Sequence, residues 1–272
     1  MYRPSELHAF LNRLQTGPKK SLSQNFLIDG NIIRKIVDAA SPTQDSTVLE
    51  IGPGPGALTE ELLKRNVKVI AVELDRTLAE HLERLDPEKK QLTVINEDIL
   101  KVSLQDQQID KVIANLPYHI TTAVVTKLLT EHEHLSEIIV MVQEEVAKRF
   151  TAKPGSKAYG SITVFLNYYS QPEYLFKVGA GCFHPKPKVD SAIIRLKRRP
   201  PPVALDPEPF FSLVREAFSQ RRKTLAASLK KRANPNTVRE FLREIGKTEK
   251  ARPEELSLEE WARLYQLWKI NS

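Results

Sequence analysis

"STVLEIGPGPGALTEELLKRNVKVIAVELD", residues 46–75, holds two strand-like runs around a glycine-rich turn and a helix-like segment. It opens on a short apolar, β-branched run that ends at Glu50-Ile51. Gly52, Gly54 and Gly56 follow at alternate positions, and from Ala57 apolar residues return at three- and four-residue spacing. A second β-branched run, 67–72, ends on Glu73. Strand, glycine turn, amphipathic helix and strand make a βαβ unit with its two strands parallel in one sheet. Glycines let the backbone take positive φ and come close to a ligand. A loop between a strand end and a helix start is where a doubly wound sheet binds ligands. Glu73 lies at the next strand end, where a carboxylate accepts hydrogen bonds from both ribose hydroxyls of a nucleoside. That spacing also suits NAD, so it does not choose the cofactor. Asp75 reads as the N-cap of the next helix.

The alternation continues outward. "QLTVIN" (91–96), "KVIAN" (111–115) and "EIIVMV" (137–142) read as buried strands, with "DRTLAEHLERL" and "TTAVVTKLLTEH" as helices between them. "NIIRKIVDAA" is a helix before the first strand, and "PEYLFKVGA" and "VDSAIIRLKR" add strands near the end of the sheet. The expected fold is α/β, a doubly wound sheet with a smaller all-helical C-terminal domain. "RRPPPVALDPEP" (198–209) carries five prolines and reads as a stiff linker. The expected division is therefore 1–205, with an N-terminal arm 1–28, and a helical domain 206–272.

Composition bounds the function. At 272 residues, 41% hydrophobic and 28% charged, the chain is an ordinary globular protein. No apolar run approaches the ~20 residues that span a bilayer, and the first residues carry charges where a signal peptide is apolar. A single cysteine, Cys182, fits a reducing cytoplasm. The net charge of +7 is uneven: twelve acids face seven bases between Asp45 and Asp98, while seven bases face one acid between Arg215 and Arg232. Such asymmetry suits a polyanion-binding surface on an acidic scaffold. The six histidines are scattered, and no residues have metal-ligand spacing.

Two more strand ends carry chemistry. Asp98, in "NEDIL", either caps a helix or accepts from the exocyclic amine of an adenine. "VIANLPYHI" (112–120) leaves its strand through Asn115, Leu116, Pro117 and Tyr118. Pro117 holds Leu116 extended and contributes a carbonyl but no N–H. The Asn115 side-chain oxygen and a nearby backbone carbonyl form a pair of acceptors, and Tyr118 gives a flat stacking face. The set suits an aromatic ring bearing an exocyclic NH₂, presented after leaving its base stack.

With these motifs in hand, the chain resembles the S-adenosylmethionine-dependent methyltransferases of Rossmann-like, class I fold. Within them it is similar to the small-subunit ribosomal RNA adenine N6-dimethyltransferases, KsgA/RsmA type. "SQNFLID" (23–29), "YGSITVF" (159–165), "CFHPKPKVDSAIIRL" (182–196) and "AFSQRRKTLAASL" (217–229) look like further blocks of that family. The resemblance implies that Asn25 and Leu27 hold the methionine end of S-adenosylmethionine. It sets Gly52 near the sulfonium, Glu73 at the ribose, Asp98 at the adenine and Asn115 between cofactor and target amine. It implies that Tyr118 and Phe183 sandwich the flipped base, beside Pro117. It implies dimethylation of two adjacent adenosines near the 3′ end of 16S rRNA in the small subunit, by a cytoplasmic monomer with no metal or membrane, and allows a role in subunit assembly.

Lys186 and Lys188 lie in a rigid basic loop, and Arg221, Arg222 and Lys223 precede "TLAASLKKR", which reads as a helix. Repulsion from that helix's positive end makes the three charges a phosphate contact. A nicotinamide oxidoreductase would share the glycine turn but has no use for "NLPY", and Ala57 stands at the third glycine of its fingerprint. Two further rivals are a large-subunit dimethylase and a non-catalytic RNA-binding assembly factor. "AFSQRRKTL" weighs against the first and the intact "NLPY" against the second.

Overall fold

The structure is a computed structural model and describes residues 4–220 and 222–271. In chain order the elements are α1 (Pro4–Arg13), β1 (Phe26–Leu27), α2 (Gly30–Ala40), β2 (Thr47–Ile51), α3 (Ala57–Leu63), β3 (Lys68–Val72) and α4 (Arg76–Leu82). Next come β4 (Leu92–Ile95), β5 (Lys111–Asn115), α5 (Thr121–Glu131), β6 (Glu137–Gln143), α6 (Glu144–Phe150), α7 (Ser161–Tyr169) and β7 (Ser170–Val178). The chain ends with β8 (Phe183–His184), β9 (Ser191–Arg198), α8 (Pro207–Phe218), α9 (Leu225–Ser228), α10 (Pro235–Glu244) and α11 (Leu258–Ile270).

Seven strands form one sheet in the order β4-β3-β2-β5-β6-β9-β7. β2 runs parallel to β3 and β5, β3 to β4, and β5 to β6, while β9 is antiparallel to β6. Val48, Leu49, Ile113, Ile139 and Val140 have no exposed surface, which is why these strands read as unbroken apolar runs rather than alternating ones. α2 packs Ile33, Ile36, Val37 and Ala40 into the same core, and Asp29 caps it by accepting from the Asn31 and Ile32 N–H groups. The chain moves outward from β2 to β4, then returns to lay β5 on the other side of β2. This reversal is the switch point at which such sheets bind ligands. The register aligns Ile51 with Val72 and with Ala114, so Gly52, Glu73 and Asn115 leave the sheet at one edge.

The chain forms two compact units, Met1–Ala147 with Glu173–Arg198 and Lys148–Pro172 with Arg199–Ser272. This differs from a single boundary after residue 205. Tyr159, Val164 and Tyr168 share one buried cluster with Phe210, Phe211 and Trp261 of the C-terminal helices, and each large ring buried there adds apolar area that holds 148–172 with them. No helix is long and apolar enough to cross a membrane among the described residues.

Candidate active site

The crevice begins at the glycine turn. Gly52 has φ +67°, a conformation that side chains rarely adopt, and it turns the backbone at the crevice edge. Gly56 has φ +89°, where a side chain is strained, and a Cβ there would lie 2.7 Å from a Leu85 methyl and 2.9 Å from a Leu82 methyl. The Gly54 N–H donates to Glu73 Oε2 at 2.9 Å, and the Asp75 N–H donates to Oε1 at 2.8 Å. Glu73 is only 6% exposed. Burial pushes its carboxyl above the ordinary range, against the pull of those backbone donors. Each oxygen keeps a second lone pair, so the carboxylate can still accept from ligand hydroxyls.

Asp98 lies three residues beyond β4, half-buried, and accepts from the Leu100 N–H at 3.0 Å. It caps a turn and still lines the crevice. Leu74 and Leu100, each next to or near a strand-end acid, are exposed large apolar side chains that line the same space.

The opposite wall comes from β5. Asn115 is its last residue, and Nδ2 donates to the Asn25 carbonyl at 3.4 Å. Leu116 turns into the core, and the Pro117 carbonyl accepts from the Ile120 N–H at 3.2 Å, which starts α5. Tyr118 is half-buried, with its hydroxyl 2.9 Å from Ser191 Oγ. Asn25, Gly52, Glu73, Asp98, Asn115, Pro117 and Tyr118 thus share one crevice at the switch point.

Other expected site residues lie elsewhere. Leu27 is 7% exposed and points into the core, because alternation along β1 gives the crevice face to Phe26. Phe183 is 4% exposed; β8 pairs it with Leu27, and both rest in the same core cluster, so in this structure its ring does not line the crevice. Lys186, Lys188, Arg222 and Lys223 are exposed, while Arg221 lies outside the described residues. The helix expected after Lys223 is the four-residue α9, buried through Leu225 and held by the Thr224 hydroxyl, which accepts from the Ala227 N–H at 3.4 Å. So short a helix aligns too few peptides for the dipole argument.

Glu50, inside β2, is given no role by the sequence, which marks it only as the end of the run before the glycine turn. It is 1% exposed, Thr59 donates to its Oε2 at 2.6 Å, and Oε1 has no partner. Burial pushes its pKa up to about 8, with the nearby Glu73 charge adding to the rise and the Thr59 bond opposing it. Its only signal in the sequence is an acid within an apolar strand. Among the described residues no group of His, Cys, Asp and Glu is arranged to hold a metal ion.

A model of the family described as ribosomal RNA adenine dimethylase matches residues 16–269. The chain is 51% identical over 273 residues to ribosomal RNA small subunit methyltransferase A of Protochlamydia amoebophila, covering 97% of this chain and 96% of that one. It is 45% identical to the protein of the same name from Chlamydia felis, over 99% of this chain and 96% of that one. Among solved structures, a dimethyladenosine transferase from Plasmodium falciparum matches with a TM-score of 0.80 at 26% identity, covering 90% of this chain and 98% of that one. The 23S rRNA methyltransferase ErmE matches with a TM-score of 0.73 at 31% identity, covering 90% and 100%.

Proposed function

The chain belongs to the ribosomal RNA adenine dimethylase family, and we propose that its crevice holds S-adenosylmethionine beside a flipped adenosine of small-subunit 16S rRNA. As a member it is an S-adenosylmethionine-dependent rRNA adenine dimethyltransferase. The observation that carries the site reading is the meeting of the Asn115 amide and the Glu73 carboxylate in one crevice.

The residues present suit this cofactor. Glu73 keeps lone pairs for two ribose hydroxyls, Leu74 and Leu100 offer apolar surface to a flat base, and Asp98 offers an acceptor to its amine. Asn25 and the backbone around Leu27 take the methionine end, and Gly52 leaves the approach to the sulfonium open. When bound, the cofactor supplies an electrophilic methyl group on a sulfonium.

The rest is orientation. An adenine amino lone pair is delocalised into the ring and is a poor nucleophile. Asn115 Oδ1 and a backbone carbonyl of the Asn115–Leu116–Pro117 turn accept its two hydrogens. That favours a tetrahedral nitrogen and aims the lone pair for in-line displacement. Tyr118 supplies the stacking face for a base that has left its helix. No strong base is required, because the alkylated nitrogen is acidic and loses its proton to water.

The small subunit is the favoured substrate because relatives so named share up to 51% identity, against 31% for the 23S enzyme. Exposed Lys186, Lys188, Arg222 and Lys223 make phosphate contacts that position the RNA. The enzyme acts as a cytoplasmic monomer. Supplying labelled S-adenosylmethionine with equal amounts of unmodified small and large subunits tests the substrate. Label in the small subunit supports this reading, and label in the large subunit replaces it with one like that of the 23S enzyme.

A further inference from the structure

One wall of the crevice is the segment Ser21 to Phe26, and it is fastened from outside. On its N-terminal side α1 docks Leu7, Phe10 and Leu11 in a cluster with Phe26 and Leu78. At its base lies Asp75, 3% exposed. Asp75 Oδ1 accepts from the Thr77 N–H at 3.2 Å, the N-cap bond of α4. A cap needs nothing more. Yet Oδ1 also accepts from Lys19 Nζ at 2.7 Å, and Oδ2 accepts from Gln24 Nε2 at 3.0 Å. Gln24 Oε1 in turn accepts from the Lys19 backbone N–H at 2.7 Å, which closes 19–24 into a loop. The Asp75 N–H is itself a donor to Glu73.

Asp75 therefore joins three things: its carboxylate holds the helix after Glu73 and the strap, and its backbone N–H holds the Glu73 carboxylate. We propose that Lys19, Gln24 and Asp75 form a latch that holds the strap closed and sets how fast the cofactor leaves. The proposal rests on reading the crevice as the S-adenosylmethionine site.

The pair is built to open. The Asp75 side chain is 1% exposed, but the Lys19 side chain is 42% exposed, so water and salt reach one partner. A dimethylating enzyme must exchange spent cofactor for fresh between transfers. A strap tied only by buried contacts would slow each exchange, and an untied strap would let unreacted cofactor escape. A half-exposed ion pair, with a neutral amide beside it, lies between those limits.

The test measures release of labelled S-adenosylmethionine, chased with unlabelled cofactor, from the full chain at low and high salt. It compares wild type, Lys19→Met, Asp75→Asn and the double variant. Asn caps a helix as well as Asp, and Lys19 is exposed, so the fold is retained. Each single change is expected to speed release by about three- to tenfold, in line with removal of one charge-assisted bond at a partly screened site. The double variant is expected to match the larger single effect, because both remove one interaction. Wild-type release should quicken with salt, whereas Lys19→Met release should not; a merely structural role for Asp75 does not produce that difference. If wild type binds cofactor and the variants release it at the wild-type rate, or their effects multiply, the latch is wrong. If Asp75→Asn does not fold, Lys19→Met and its salt response decide alone. If wild type retains no cofactor, the site reading fails and the latch with it.

Discussion

The Tyr118 hydroxyl lies 2.9 Å from the hydroxyl of Ser191, a residue with no exposed surface at the start of β9. β9 is antiparallel to β6 and aligns Ser191 with Gln143, so the aromatic side chain of the "NLPY" turn is held by a strand well separated from it in sequence. A neutral hydrogen bond of this kind contributes about 1 kcal/mol. Tyr118→Phe, which keeps the ring, is expected to lower kcat by about fivefold or less. Tyr118→Ala removes the stacking face, worth ~1–3 kcal/mol per base, and is expected to cost correspondingly more. Steady-state kinetics on small subunits checks the order, and equal losses for the two variants would deny the ring a stacking role.

Asn115→Ala is expected to slow methyl transfer by ~10²–10³, the usual cost of removing one oriented group that acts in the transition state. Cofactor affinity should change little, because the bond the amide makes in this structure is a long one, 3.4 Å, to the Asn25 carbonyl. Single-turnover rates with calorimetry separate the two, and a near-normal rate would remove Asn115 from the chemistry.

Glu73→Ala is expected to weaken S-adenosylmethionine binding far more than RNA binding, since each charge-assisted bond to a ribose hydroxyl contributes roughly 1.5–3 kcal/mol. The same change frees the Gly54 and Asp75 N–H groups, so Tm should fall as well. Calorimetry showing unchanged cofactor affinity would make Glu73 only a brace for the glycine turn.

Glu50 gives a pH signature. Its folded pKa of about 8 exceeds its ordinary value of 4.5, so the folded state holds the proton more tightly than the unfolded state. The linked stability is full below the lower value and is lost as pH rises through the higher. Glu50→Gln mimics the neutral acid and carries no such loss. Its Tm relative to wild type should therefore rise steadily between about pH 5 and about pH 8. A difference that does not change with pH would mean Glu50 is ionised in the fold.

Much of this is readable in the residues. The runs ending at Ile51, Val72 and Asn115 form parallel strands because buried parallel strands tolerate little but apolar residues, and the glycine, acid and amide that close them, Gly52, Glu73 and Asn115, fall at one edge. Leu27 and Phe183 are not so placed, since a two-residue ladder between distant segments leaves no periodic trace, and only pairing decides which face is buried. Residues 148–172 are hidden for a related reason: Tyr159 and Tyr168 declare their unit only through the distant Phe210 and Phe211. The shortness of α9 is invisible because Leu225 and Leu229, one turn apart and both buried, look the same in a longer helix.

Arg222 and Lys223 are exposed, so their role is decided by binding rather than by a helix end. Changing both to Gln should lower the slope of log affinity for the small subunit against log salt by about 1.5, near 0.7–0.9 for each phosphate no longer neutralised. Filter binding across a salt series measures it. An unaltered slope would shift the phosphate-binding role to Lys186 and Lys188.

Nucleoside analysis tests whether the Asn115 crevice directs methyl transfer to adenine N6 in small-subunit RNA. Unmodified small subunits are incubated with S-adenosylmethionine and either wild type or Asn115→Ala, and the 16S rRNA is digested and resolved by mass spectrometry. The expected result is N6,N6-dimethyladenosine at two adjacent positions near the 3′ end with wild type, and almost none with the variant. Methyl groups on another base or another adenine atom, or an equal yield from Asn115→Ala, would contradict the account.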